Sequence, residues 1–439
     1  VSYKSILKIS FPIILSGVAQ NIVNVTDTAF LGRIGAVEIG AAGNAGIFYF
    51  VILMLGLGFS TGTQILIGRR NGEQNLLEIG KLVENSFYFL LPLASLIFLF
   101  FQFLSPVLLD LMTKSPDILQ ASNEYLQVRS WGILFAFANF TFIAFYVGTI
   151  QTKVLLYSTF IQAFTNVIFD YFLIFGNFGF PEMGIAGAAL ASVFSEIAAL
   201  AYFIIYTFLK VDRSKYELFS FHRFELRKLR KMLVISFPIM LQNFASLGAW
   251  LVFFLIIEKI GETELAVSHI IRSVYMVLMI PMFGFSQATN TLVSNYIGRG
   301  NAAQVLQLVK KIVLLSLFFT ALFIPLNLAF PSDIVKIYTD DPVLIKAAIP
   351  VLYVVTVTML LYSVSFVLFS AVTGTGKTMH SLGLETFSIA MYLLTAYLFG
   401  VYFDLSITLV WCSEFVYFSV MGILAFIYLK WGNWKDAKV

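Results

Sequence analysis

Twelve apolar stretches, separated by short polar breaks, run along the chain near 9–31, 41–67, 87–111, 126–150, 154–176, 184–209, 232–257, 265–298, 308–330, 347–373, 380–402 and 405–430. A helix rising ~1.5 Å per residue needs about twenty such residues to cross a hydrocarbon core of ~30 Å. Lipid offers the backbone no hydrogen-bond partner, so runs of this length are predicted to be helices. The pattern predicts an all-α integral membrane protein of twelve transmembrane helices.

The two halves repeat at a shift of 226 residues. Ile9-Ser10-Phe11-Pro12-Ile13 returns as Ile235-Ser236-Phe237-Pro238-Ile239, Gly58-Phe59-Ser60 as Gly284-Phe285-Ser286, and Gly148-Thr149 as Gly374-Thr375. Thr113 and Pro116 likewise match Thr339 and Pro342. The predicted organisation is an N-lobe of six helices over 1–209, a basic cytoplasmic connector over 210–231, a C-lobe of six helices over 232–430 and a cytoplasmic tail over 431–439. An even number of spans per repeat makes the lobes parallel and pseudo-symmetric about the membrane normal, a plan that suits a cavity between lobes and alternating access.

Composition agrees, since 59% hydrophobic and 12% charged residues lie outside soluble usage. Lysine and arginine number 21 on the side of the termini and even-numbered loops and seven on the other, where Arg33, Lys114 and Arg129 fall. That bias predicts both termini in the cytoplasm of a multi-pass cell (inner) membrane protein. It also accounts for the net charge of +4 without a nucleic-acid partner. No cleavable signal is expected, because the first run is long enough to span and carries Gln20, Asn24 and Asp27. Cys412 stands alone and His222, His269 and His380 are scattered, so no cysteine or histidine metal centre is expected. Gly374-Thr375-Gly376-Lys377-Thr378 resembles the end of a phosphate loop, but Ala371 stands where that motif needs its first glycine. Neither a nucleophile–base set nor a bound cofactor is indicated, and the chain reads as a non-enzyme.

Five acids fall inside the spans: Asp27, Asp170, Glu196, Glu385 and Glu414. A carboxylate at mid-helix costs about 2.5–3.5 kcal/mol on insertion scales, so each needs a reason to be there. Gln20, Asn24 and Asp27 share one face of the first span, Asn166 and Asp170 lie at i, i+4 on the fifth, and Ser192 and Glu196 at i, i+4 on the sixth. Three polar stripes in one lobe can converge on a site for a proton or Na+. The repeat positions of Asp27, Asp170 and Glu196 are Phe253, Ala396 and Gly422, so the fold does not itself require acids there. The plainer alternative is that these groups join helices by hydrogen bonds. Glu385 and Glu414 lack polar companions on their own helices and point to cavity-facing or helix-end roles. Pro12 is either a hinge or a first-turn proline.

With these residues in view, the chain resembles the multidrug and toxic compound extrusion (MATE) family, in its DinF-like prokaryotic type. Pro12, Asn24-Val25-Thr26-Asp27-Thr28 with Gly32, Asn166-Val167-Ile168-Phe169-Asp170 and Gly184-Ile185-Ala186-Gly187-Ala188-Ala189 carry the likeness. The resemblance implies cation-driven export of amphipathic, often cationic organic compounds, with H+ or Na+ as coupling ion. It implies a cation or proton site at Asp27, Asn166, Asp170 and Ser192, with Asp27, Asn166 and Asp170 as Na+ ligands if Na+ is used. Gln20 then faces the cavity, and Pro12 is where the first helix bends. Ser246 stands where NorM-like members carry a glutamate, which weakens any C-lobe ion site, though Gln242, Asn243, Gln287 and Asn290 could still line the cavity. One chain supplies both lobes, so a monomer suffices. The alternatives are a flippase for lipid-linked oligosaccharide, whose anionic cargo calls for arginines that the spans barely offer, and a membrane-embedded enzyme.

Overall fold

Helices end where polar, glycine and proline residues cluster, and between those breaks the apolar runs extend into long rods. In a computed structural model, which describes residues 2–113 and 115–435, the spans are Tyr3–Ile34, Ala36–Gly72, Leu76–Leu111, a bent fourth span, Lys153–Phe175, Gly184–Lys210, Leu226–Glu258, Glu262–Gly298, Ala302–Ala329, Pro342–Gly374, Thr378–Tyr402 and Ile407–Trp431. The fourth consists of Pro116–Arg129 and Gly132–Gly148, which meet at 49°. The protein is thus all-α, with twelve spans when the bent pair is taken as one. Lys114 and Lys438, used in the charge count, and residues 436–439 of the tail lie outside the described residues.

Several helices begin well before the apolar run that announces them. The third starts at Leu76, where Glu78, Lys81, Glu84 and Asn85 form polar first turns. The fourth starts at Pro116 with a segment too polar to read as membrane-spanning. Pro12 is the tenth residue of its helix, which excludes the first-turn reading.

By packing, the described chain divides into one unit of Leu15–Met240 and another of the residues up to Ile14 with those from Leu241 onward. Both transitions fall inside helices, two residues beyond Pro12 and Pro238. The basic segment 210–231 lies wholly inside the first unit. Glycines show why the helix starts are held as they are. A Cβ at Gly58 would lie 2.8 Å from Met240 Cα, and one at Gly284 would lie 3.1 Å from the Ile14 nitrogen. These two contacts are repeat equivalents. So are Gly148 against the Gln64 carbonyl and Gly374 against that of Asn290, where a Cβ would come within 3.0 and 2.8 Å. The repeated glycines conserve no chemistry within the chain; they conserve close helix contacts.

The fifth and sixth spans form a tight hairpin. Gly176 caps the fifth in the left-handed conformation, its N–H returning to the Phe172 carbonyl. Gly187 then lets the sixth approach so closely that a Cβ would stand 2.6 Å from the Leu173 carbonyl oxygen. Gly187→Leu is expected to destabilise the protein by about 1–3 kcal/mol through overpacking, seen as a lower Tm in detergent. An unchanged Tm would show that the hairpin can open without cost.

The connector is pinned to the third span by one buried carboxylate. Glu84 accepts the backbone N–H groups of Phe221 (3.0 Å) and His222 (2.7 Å) and lies 2.9 Å from His222 Nδ1. The Glu225 N–H reaches Asn85 Oδ1 at 3.3 Å. Glu217, Phe219 and Phe221 take positive φ there, a conformation that needs such external support. Glu84→Ala therefore removes hydrogen bonds worth about 1.5–3 kcal/mol each. The expected result is faster limited proteolysis within 211–225, with cleavage elsewhere unchanged; equal cleavage in both proteins would refute the pinning.

Candidate functional site

The hairpin of the fifth and sixth spans brings Asn166 and Ser192 together, with Asn166 Nδ2 donating to Ser192 Oγ at 3.5 Å. Asp170, one turn beyond Asn166, is fully buried and its carboxyl adjoins that of Asp27 on the first span. Asp27 Oδ1, Asn166 Oδ1 and both carboxyl oxygens of Asp170 are buried and complete no hydrogen bond among the described residues. The two carboxyls thus face each other with no donor from any other side chain among the described residues. Two carboxyls so placed repel when both are ionised, and a proton or a metal cation among them removes the repulsion. The donor set, two carboxyls with an amide and a hydroxyl oxygen nearby, fits Na+ as well as H+. Asn24 and Gln20, farther up the same helix, are exposed.

Glu196 does not join these oxygens. Its carboxylate accepts two parallel hydrogen bonds from Arg129, Nη2 to Oε1 at 2.6 Å and Nη1 to Oε2 at 3.0 Å. Its backbone carbonyl also accepts from Asn139 Nδ2 at 3.0 Å. The guanidinium stacks on the Tyr49 ring, 4.3 Å from its centroid, and acts electrostatically on Asp27 as well. Sequence reasoning counts Arg129 among the charges on the outer side, at the start of the fourth apolar run. The bend after Arg129 instead turns it into the bundle, where the pair keeps only 11% and 7% side-chain exposure. Arg129, the Tyr49 ring on which it stacks, and Tyr125, buried within electrostatic reach of Arg129 and Asp27, are the site neighbours that the sequence reading misses, and no local pattern marks them.

In the second half, Gln242 is buried and donates to Ser381 Oγ (2.7 Å) and the Thr378 carbonyl (3.3 Å), so its amide is committed to the eleventh span. Asn243 and Gln287 are half-buried; Asn290 is buried, its Oδ1 completing no hydrogen bond among the described residues. Glu385 and Glu414 are buried, and both find their partners on other helices: Ser246 and Tyr417 for Glu385, Tyr275 for Glu414.

The family model MatE matches residues 12–172 and again 238–398, the second match being the first displaced by the repeat shift. A probable multidrug resistance protein NorM of Thermotoga maritima is 27% identical over 98% of this chain and 93% of its own length. The probable multidrug resistance protein YoeA of Bacillus subtilis is 21% identical over the same shares. Among solved structures, an outward-facing multidrug resistance MATE family transporter of the MOP superfamily superposes with a TM-score of 0.91 at 20% identity, covering 98% of this chain and 95% of that one. A MOP superfamily transporter from Pyrococcus furiosus, described as having a binding pocket of reverse polarity, gives 0.88 at 20% identity over the same shares. A family model matched twice, over most of the chain, places this protein in the MATE family of multi-pass membrane transporters.

Proposed function

We propose that the protein is a secondary active multidrug exporter, which moves amphipathic organic cations out of the cell in exchange for H+ or Na+ bound at Asp27 and Asp170. The observation that carries this reading is the buried pairing of the Asp27 and Asp170 carboxyls, which receive no donor from any other side chain among the described residues. Burying polar groups without partners costs free energy, and a transported cation supplies the missing partner. Ser192 orients Asn166 within the site. Glu196 serves as the counter-ion that holds Arg129 beside Asp27. Gln20 and Asn24, exposed on the first helix, are the positions offered to the drug. Pro12 is the hinge at which the first helix bends when the exporter changes its facing state. The protein works as a monomer in the cell membrane, both termini cytoplasmic.

Coupling follows if the ion and the drug prefer opposite facing states, each then shifting the population the other binds. The anionic cargo of a lipid-linked sugar flippase is disfavoured, since the buried guanidinium that could receive it is already paired bidentately. Ethidium efflux from cells lacking their own pumps, with pH and Na+ gradients imposed separately, tests the proposal. Efflux driven by one gradient is expected and names the ion; efflux that ignores both gradients would refute the exchange.

A further inference from the structure

The second half holds buried carboxyls that play no part in this exchange. Glu385, on the eleventh span, is 3% exposed; its Oε1 accepts from Ser246 Oγ on the seventh and from the Tyr417 hydroxyl on the twelfth, both at 2.7 Å. Its Oε2 is buried and has no hydrogen-bond partner among the described residues. Glu414, on the twelfth span, is 2% exposed and accepts from the Tyr275 hydroxyl of the eighth at 3.2 Å. Tyr392, from the eleventh, sets its buried hydroxyl against the Glu414 carboxyl, and Tyr362 of the tenth lies within electrostatic reach of both acids. No lysine, arginine or histidine pairs with either glutamate among the described residues.

We propose that Glu385 and Glu414, enclosed by Tyr275, Tyr362, Tyr392 and Tyr417, form a second proton-binding site, held by helices other than those that carry Asp27 and Asp170. An ionised carboxylate taken from water with no countercharge costs several kcal/mol. A proton is the countercharge that needs no space. Space is short here, for the ring centroids of Tyr362 and Phe418 lie 4.5 Å apart and those of Tyr417 and Phe418 4.8 Å apart. With Ser246 and Tyr417 both donating to Oε1, Oε2 is the oxygen left to carry the proton. The acids are not a requirement of the repeat, whose equivalents in the first half are Thr159 and Ala188. Each half therefore carries its own acids at unrelated positions.

Infrared difference spectra recorded between about pH 5 and about pH 9, across the range where carboxyls and their buried variants titrate, test the site in purified protein. The background is Asp27→Asn/Asp170→Asn, so a failure of the exchange mechanism does not touch the result. A titrating carboxylic-acid C=O band is expected in that protein and should be lost when Glu385→Gln and Glu414→Gln are added. Identical spectra with and without the glutamine substitutions would overturn the proposal. Should those variants not fold, Tyr417→Phe removes one donor from Glu385 and is expected to shift the band, and an unmoved band is again fatal. At fixed pH, exchanging choline for Na+ should leave the band alone; a Na+-dependent change would reassign the site to a metal ion and overturn the proton reading.

Discussion

Asp27→Asn and Asp170→Asn are each expected to lower gradient-driven ethidium efflux by about tenfold or more, while membrane abundance stays at the wild-type level. Asparagine keeps the shape of aspartate, so packing is little disturbed. What it removes is the charge that changes when a proton or Na+ arrives. Without differential ion binding to the two facing states, the ion gradient has no lever on the conformational equilibrium, and a tenfold loss corresponds to only about 1.4 kcal/mol of that coupling. Drug binding without a gradient should persist in both variants. Undiminished gradient-driven efflux in Asp27→Asn would sink the role given to this carboxyl.

The second large effect concerns stability. Arg129→Leu should cost about 3–5 kcal/mol, because it strands the buried Glu196 carboxylate without its bidentate partner. The double variant Arg129→Leu/Glu196→Leu should recover most of that loss, since it removes both charges and fills the space with apolar atoms. Thermal unfolding in detergent reads both proteins. A double variant as unstable as the single one would mean that the pair does more than satisfy its own charges, and the stacking of Arg129 on Tyr49 would be the first place to look.

The sequence made the spans and the first-half site readable for different reasons. Apolar length is a local property, so the twelve spans could be located from runs alone; what escaped was their polar beginnings, such as Leu76–Asn85 and Pro116–Arg129, which are helical but not apolar. Asn166 and Asp170, or Ser192 and Glu196, announce themselves by helical spacing because both members of a stripe lie on one helix. Partners on different helices leave no such mark. Arg129 and Glu196 are 67 residues apart and meet beside the bend in the fourth span. Glu385 meets Ser246 and Tyr417 across 139 and 32 residues. In sequence those tyrosines are indistinguishable from ordinary apolar filling, and Ser246 reads as a missing acid when it is in fact a donor to one supplied by the eleventh span.

The packing of Ile14 against Gly284 has a consequence for how the chain is made. The glycine that receives Ile14 is synthesised roughly 270 residues after it. At about 5–20 residues per second, that delay is on the order of tens of seconds. During it, the start of the first helix has no native seat, and Ile6 and Ile9, buried in the finished protein, wait against lipid or a translocation partner. The nascent first half is therefore not a finished folding unit, because the segment up to Ile14 finds its seat only once the eighth span has been made.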